Sequence, residues 1–185
     1  MSNIFMNKSA NKDRILKLDC LLVDNSDRLA VKRLNEADAD KILHLCMGNP
    51  LFYEYHPPLA TKESILEDMS ALPPHKIYRD KYYVGFYEGD LLVAVLDLIL
   101  DYPQEETAYI GFFMVDVSCQ RQGLGSSIVK GIAGSLKEIG FAKIRLAIDE
   151  GNLQSEAFWT KNGFGKTGER HPNDFSAYLP MEREL

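Results

Sequence analysis

Cysteine is scarce and poorly spaced for chemistry, with Cys20, Cys46 and Cys119 making up the full complement of three. No CxxC pair occurs among them, so neither a zinc site nor a disulfide framework can be read. No metal is expected, and a reduced, cytoplasmic setting is. Long apolar runs are also missing: nothing approaches the roughly 18 consecutive apolar residues of a membrane span. The opening MSNIFMNKSANKDRIL has no apolar stretch and no small-residue cleavage site, so no secretory leader is expected. Positive charge is in deficit, with 21 Lys and Arg against 27 Asp and Glu and a net charge of -6. Nucleic-acid affinity rests largely on Lys and Arg neutralising phosphates, so that role is disfavoured. An acidic surface leans instead towards a cationic small molecule.

What remains is the balance of a globular protein, with 45% hydrophobic and 26% charged residues in a chain of 185,. This fits one domain over residues 1–185, with residues 1–18 as a mobile arm. Cys20–Val23 reads as an extra strand and Leu29–Leu34 as a short one. Asn35 with Asp38 makes an N-cap pattern for a helix to Met47, which Gly48-Asn49-Pro50 ends. The aromatic stretch from Leu51 to Pro58 carries too much proline for a helix and reads as a loop. Thr61 caps a second helix to Ala71. Tyr82–Tyr87, Leu91–Leu100 and Thr107–Val115 are β-rich runs with turns between them, an antiparallel meander. At Leu124 the period changes: Leu124, Ile128, Ile132 and Leu136 recur at helical spacing until Gly140,. Lys143–Asp149 alternates as a strand, Asn152 caps a helix to Asn162, and Ser176–Glu182 forms a last strand. The order is β-α-α-β-β-β-α-β-α-β, an α/β (α+β) fold with a mixed, mostly antiparallel central sheet flanked by helices.

The segment Gln120-Arg121-Gln122-Gly123-Leu124-Gly125-Ser126-Ser127 joins a strand to a helix. Glycines let the backbone approach a ligand, and the first N–H groups of a helix lack intrahelical partners. Together with the positive helix end they make an anion site suited to a diphosphate. The glycines also suit close helix packing. The segment is not a Walker A loop, since no Gly-Lys-Ser/Thr follows, and the preceding meander disfavours a dinucleotide fold.

A second element follows the next strand: Asn152-Leu153-Gln154-Ser155-Glu156-Ala157-Phe158-Trp159-Thr160-Lys161-Asn162-Gly163-Phe164. The two elements, in this order and spacing, resemble the GNAT superfamily of N-acetyltransferases, and the likeness runs from Leu29 to Leu185. Ser155 stands where the family has Ala. The resemblance implies that acetyl-CoA is the acyl donor and that its pantetheine arm lies between splayed strands, against the backbone of Phe113 and Val115. Gln120, Gln122, Gly123, Leu124, Gly125 and Ser126 would seat the pyrophosphate, and Asn152, Ser155 and Trp159 would border the arm. Tyr53, Tyr55 and His56 would form one wall of the acceptor groove.

Two departures matter. Trp159 replaces a Tyr that in many members protonates the leaving thiolate, and an indole is no practical acid. Tyr109 falls where a subset has a Glu base. Asp97, alone in an apolar strand, and Glu105, in the turn before Tyr109, join it as candidates for catalysis. The expected function is transfer of acetyl from acetyl-CoA to the primary amine of a small molecule, by direct attack in a ternary complex. A non-catalytic acyl-CoA-binding sensor and a protein N-acetyltransferase are the alternatives. The expected partner is the amine acceptor; a homodimer is admitted, and neither nucleic acid nor membrane is.

Overall fold

The computed structural model describes residues 17–18 and 29–185. The strand expected at Cys20–Val23 and most of the expected arm lie outside them. The described chain runs β1 (Ala30–Arg33), α1 (Ala39–Met47), α2 (Pro50–Tyr55), α3 (Lys62–Ser70), β2 (Lys81–Glu88), β3 (Leu91–Ile99) and β4 (Thr107–Val115). It continues through α4 (Leu124–Glu138), β5 (Lys143–Asp149), α5 (Leu153–Lys161), β6 (Gly165–Lys166), β7 (His171–Pro172) and β8 (Ala177–Glu184).

The helix starts follow the sequence signals. Asn35 and Asp38 form a reciprocal capping box ahead of α1, and Thr61 and Ser64 do the same for α3,. One expectation fails: the aromatic stretch from Leu51 is helical, not a loop. Pro50 sits at the helix start, where a missing N–H costs nothing, and the remaining prolines come only after Tyr55,. β6 and β7, two residues each, carry no periodic signal and were not expected.

The sheet order is β1-β2-β3-β4-β5-β8-β6, with β7 also on β8. All pairs are antiparallel except β4 with β5. Alternate residues of β2 feed two cores, one on each face. Tyr82, Val84 and Phe86 join α4 through Ile128, Ile132 and Leu136. Tyr83 and Tyr87 join α1 and α3 through Ile42, Leu45 and Ile65.

Two irregularities shape the middle of the sheet. The parallel pairing of β4 with β5 covers only Thr107–Ile110 against Lys143–Leu146, so the strands part beyond Ile110. At that point β4 also bulges: Phe112 lies opposite Asp97 and Ile110 opposite Leu98, leaving Gly111 unopposed,. A side chain at Gly111 would collide with the Asp97 carboxylate, its Cβ 2.9 Å from Oδ2.

Candidate active site

Where β4 and β5 separate, a cleft of about 890 Å³ opens, reached by α2, α3, α5 and β8. The free edge of β4 faces into the gap. Asp116 N–H donates to Val93 at 2.8 Å, and Ala94 lies opposite Val115. Peptide groups alternate in direction along an antiparallel ladder, so those of Phe113 and Val115 point away from β3. The Val115 carbonyl is already engaged: Gln120 Nε2 donates to it at 2.9 Å and Asn49 Nδ2 at 3.3 Å. Gln120 also donates to Asn49 Oδ1 at 2.6 Å, so its side chain braces the end of β4. Among the described residues, the groups left open towards the gap are the N–H and carbonyl of Phe113 and the N–H of Val115.

At that end of β4 the chain turns into α4. Arg121 and Gly123 both take positive φ, 59° and 87°, and Gly123 needs no Cβ accommodation there,. The N–H groups of Leu124, Gly125 and Ser126 begin the helix with no carbonyl one turn earlier to bond,. Gly125 serves packing as well: a Cβ there would stand 3.1 Å from the Phe158 ring and 3.4 Å from Val115. Gln122 donates to the Ser118 carbonyl at 2.8 Å and so folds the loop onto itself.

Across the gap, Asn152 is buried and caps α5 by accepting from Ser155 N–H at 3.0 Å. Ser155 and Trp159 line the cleft. Trp159 is buried in an aromatic cluster, its ring centroid 5.0 Å from Phe158, 5.8 Å from Phe113 and 5.0 Å from Phe164.

The opposite end of the cleft is aromatic and charged. Asp97 lines it, with Lys81 donating to its Oδ2 at 2.8 Å, while Oδ1 is sealed from solvent without a partner. Burial holds the Asp97 carboxyl above its ordinary range, against the lowering influence of Lys81. Asp68 of α3 also borders the cleft; the residue is exposed to solvent, yet partial desolvation by the surrounding chain raises its carboxyl against the lowering influence of Lys81 and His56. Tyr109 lines the cleft edge-on to Tyr102, and burial raises its phenol. Glu105 remains in the exposed turn before β4, outside the cleft. Tyr53 and His56 of the α2 segment line the cleft, whereas Tyr55 is directed towards Gly151. His56 Nδ1 meets Asp149 Oδ1 at 3.2 Å, joining the α2 segment to the end of β5.

Lys81, Asp149 and Asn49 were not singled out from sequence. Lys81 and Asp149 stand at strand ends, where charge is unremarked, and Asn49 looked like punctuation. Among the described residues no group of His, Cys, Asp and Glu could hold a metal ion, and no helix is long and apolar enough to cross a membrane.

An open mixed sheet whose central parallel pair splays beside a helix N-terminus is the architecture of acyl-CoA acetyltransferases. The model of the Acetyltransferase (GNAT) family matches residues 48–164, and the chain belongs to that family. No curated protein matches it by sequence. Solved structures do. An acetyltransferase from Thermus thermophilus superposes with a TM-score of 0.69 at 20% identity, covering 85% of this chain and 97% of that one. The PaiA N-acetyltransferase from Thermoplasma acidophilum, in complex with coenzyme A, gives 0.62 at 16% identity, with 85% and 99% covered. A spermidine N-acetyltransferase chimera that includes the Vibrio cholerae enzyme gives 0.64 at 16%, with 85% and 96% covered. At these identities the likeness is one of fold.

Coenzyme A suits the groups present. The unpaired edge at Phe113 and Val115 can pair an extended amide-bearing arm, and the α4 N-terminus can take a diphosphate. A test that spares Gly125 follows from this geometry. Ser126→Glu places a carboxylate in the first turn of α4, where helices favour acid, so the melting temperature should hold or rise slightly. Coenzyme A affinity measured by calorimetry should nevertheless fall at least about tenfold, ~1.4 kcal/mol. Unchanged affinity would remove the diphosphate from this helix end.

Proposed function

We propose that the protein is an N-acetyltransferase that moves acetyl from acetyl-CoA to the primary amine of a small molecule, by direct attack in a ternary complex. The observation that carries this reading is the splay of β4 from β5, with the open N-terminus of α4 at one end and the half-buried Asp97 carboxylate at the other. Acetyl-CoA supplies a thioester whose carbonyl carbon accepts the amine. The chain's own part is to hold that carbonyl beside the unpaired backbone of β4, whose N–H groups offset the negative charge developing on oxygen. An acceptor with an ordinary alkylamine pKa of about 10.4 is almost wholly protonated at neutral pH, so it arrives as a cation and must lose a proton.

Asp68, Asp97 and Asp149 border the cleft together with Lys81, Arg145, His56 and His171, and the Arg145 guanidinium is already paired with Glu169 and Glu182. This balance, within an acidic chain, favours ammonium groups over amino acids bearing a free carboxylate. Walls built from Tyr53, Tyr109 and other aromatic rings favour an acceptor with apolar bulk,. The cytoplasm, with its acetyl-CoA pool and reduced thiols, is the proposed setting.

Free-thiol release from acetyl-CoA in the presence of an amine panel, run at two ionic strengths, tests the reading. Turnover with cationic amines, weakened by salt, is expected. Tight acetyl-CoA binding without thiol release from any amine would favour the sensor alternative. A best substrate that is anionic would overturn the assigned acceptor class.

A further inference from the structure

The geometry points to His56 and Asp149 as a proton-accepting dyad, with His56 the catalytic base and Asp149 its positioning residue. This inference rests on the transferase reading above and names the group that makes the acceptor amine nucleophilic.

The three catalytic candidates read from the sequence are each engaged, mismatched or remote. Lys81 holds Asp97 through Oδ2, and its Oδ1 is sealed from solvent. Burial raises the Tyr109 phenol, which takes it further from use as a base near neutral pH. Glu105 is outside the cleft.

His56 differs in each respect. It caps the C-terminus of α2, where its backbone N–H bonds to the Phe52 carbonyl. Its ring lies 5.2 Å from Phe52 and 6.0 Å from Tyr178 between centroids, so two elements hold it over the cleft. Its side chain is 44% exposed, while that of Asp149 is only 10% exposed. A buried carboxylate at hydrogen-bond distance fixes the tautomer: Nδ1 carries the proton and donates to Asp149 Oδ1,. That leaves the Nε2 lone pair as the accepting site of the neutral ring, and the same carboxylate stabilises the imidazolium that forms.

The groups facing His56 are Asp149 from β5, Asp68 from α3 and Tyr178 from β8, with Phe52 on its own helix. The Asp149 hydrogen bond raises the imidazole above its ordinary range, and burial opposes it.

The proton balance is simple. The arriving ammonium gives one proton to Nε2, which returns it to solvent through the open side of the ring. The neutral amine forms the C–N bond, the C–S bond breaks, and the second N–H proton leaves with the sulfur as free thiol. Transfer therefore releases one net proton.

The experiment compares wild type, His56→Gln and Asp149→Asn by thiol release from acetyl-CoA across pH. One acceptor is a strongly basic alkylamine and the other a weakly basic fluorinated analogue. Melting curves and coenzyme A affinity show that each variant is folded and loaded. In wild type, kcat/KM should rise with pH through an acid limb above the ordinary histidine range. Asp149→Asn should shift that limb to lower pH, because the raising partner is gone, and should lower the rate about tenfold. His56→Gln should lose the limb and about a hundredfold or more in rate with the basic amine. It should lose much less with the weakly basic one, which is already neutral.

A His56→Gln variant that keeps the wild-type pH profile, or shows equal deficits for both amines, would overturn the dyad and leave the transferase standing. Wild-type protein that binds acetyl-CoA yet releases no thiol with any amine would overturn both.

Discussion

Trp159→Ala is expected to cost about 3–5 kcal/mol of stability, the range for truncating a buried large aromatic. The side chain is only 7% exposed and meets Phe113, Phe158 and Phe164 at once. It joins α5 to β4 and to the strand connection that follows, so the lost contacts belong to both sides of the cleft. Chemical denaturation with near-ultraviolet circular dichroism as a second probe measures the loss. Trp159→Phe separates packing from chemistry, because it keeps most of the apolar bulk and removes the indole N–H. A cost of about 1–2 kcal/mol with near-normal turnover is expected. If this variant folds, binds coenzyme A normally and still loses more than about a hundredfold in turnover, a drop the size of a lost general acid, the indole takes part in transfer. Trp159→Tyr should bring little gain, since the three neighbouring rings are packed around an indole.

Much of the fold was legible because its signals are local. Capping residues at Asn35, Thr61 and Asn152 set helix starts, and the apolar repeat from Leu124 to Leu136 marked the longest helix. The helix over Pro50–Tyr55 was missed because proline was weighed as a breaker without regard to its place in the first turn,. The glycine-containing strand-to-helix turn proposed to take the diphosphate was legible for the same local reason, and α4 does begin there. The end proposed to take the acceptor was not, because its arrangement depends on register.

Lys81 and Asp97 show why. Glu88 lies opposite Leu91 across the two-residue turn, and continuing that register would set Asp97 against Tyr82. A shift between Phe86 and Tyr87 sets it against Tyr83 instead. One residue of slip exchanges the faces of a strand, so only the bulge brings Asp97 onto the face of Lys81. The second bulge, at Gly111, then makes room for the carboxylate. An isolated glycine such as Gly111 is a sequence signal for a bulge, but the first shift falls on Val93, a residue that carries no such signal,. His56 and Asp149 likewise meet only through tertiary structure, 93 residues apart in sequence.

Lys81→Met should destabilise the protein by about 3–5 kcal/mol at pH 8, the cost of breaking a buried ion pair from one side. The Lys81 side chain is 4% exposed and that of Asp97 13%, so solvent can do little to replace the lost partner. Oδ1 of Asp97 already lacks a partner, and the substitution would strip Oδ2 as well. The penalty should depend on pH, with a definite sign. Burial already raises the Asp97 carboxyl while Lys81 opposes the rise, so removing the ammonium raises it further. An unfolded aspartate titrates near about 3.9. Between that value and the folded one, the native state binds more protons than the unfolded chain, so stability falls as pH increases. Urea unfolding should therefore show Lys81→Met much closer to wild type at pH 5 than at pH 8. Adding Asp97→Asn to Lys81→Met removes the charge altogether, and the double variant should recover most of the loss and flatten the pH slope. A cycle of the two single variants and the double would give the coupling directly. A Lys81→Met protein within about 1 kcal/mol of wild type at pH 8 would mean that the carboxylate is stabilised by something other than the ammonium beside it.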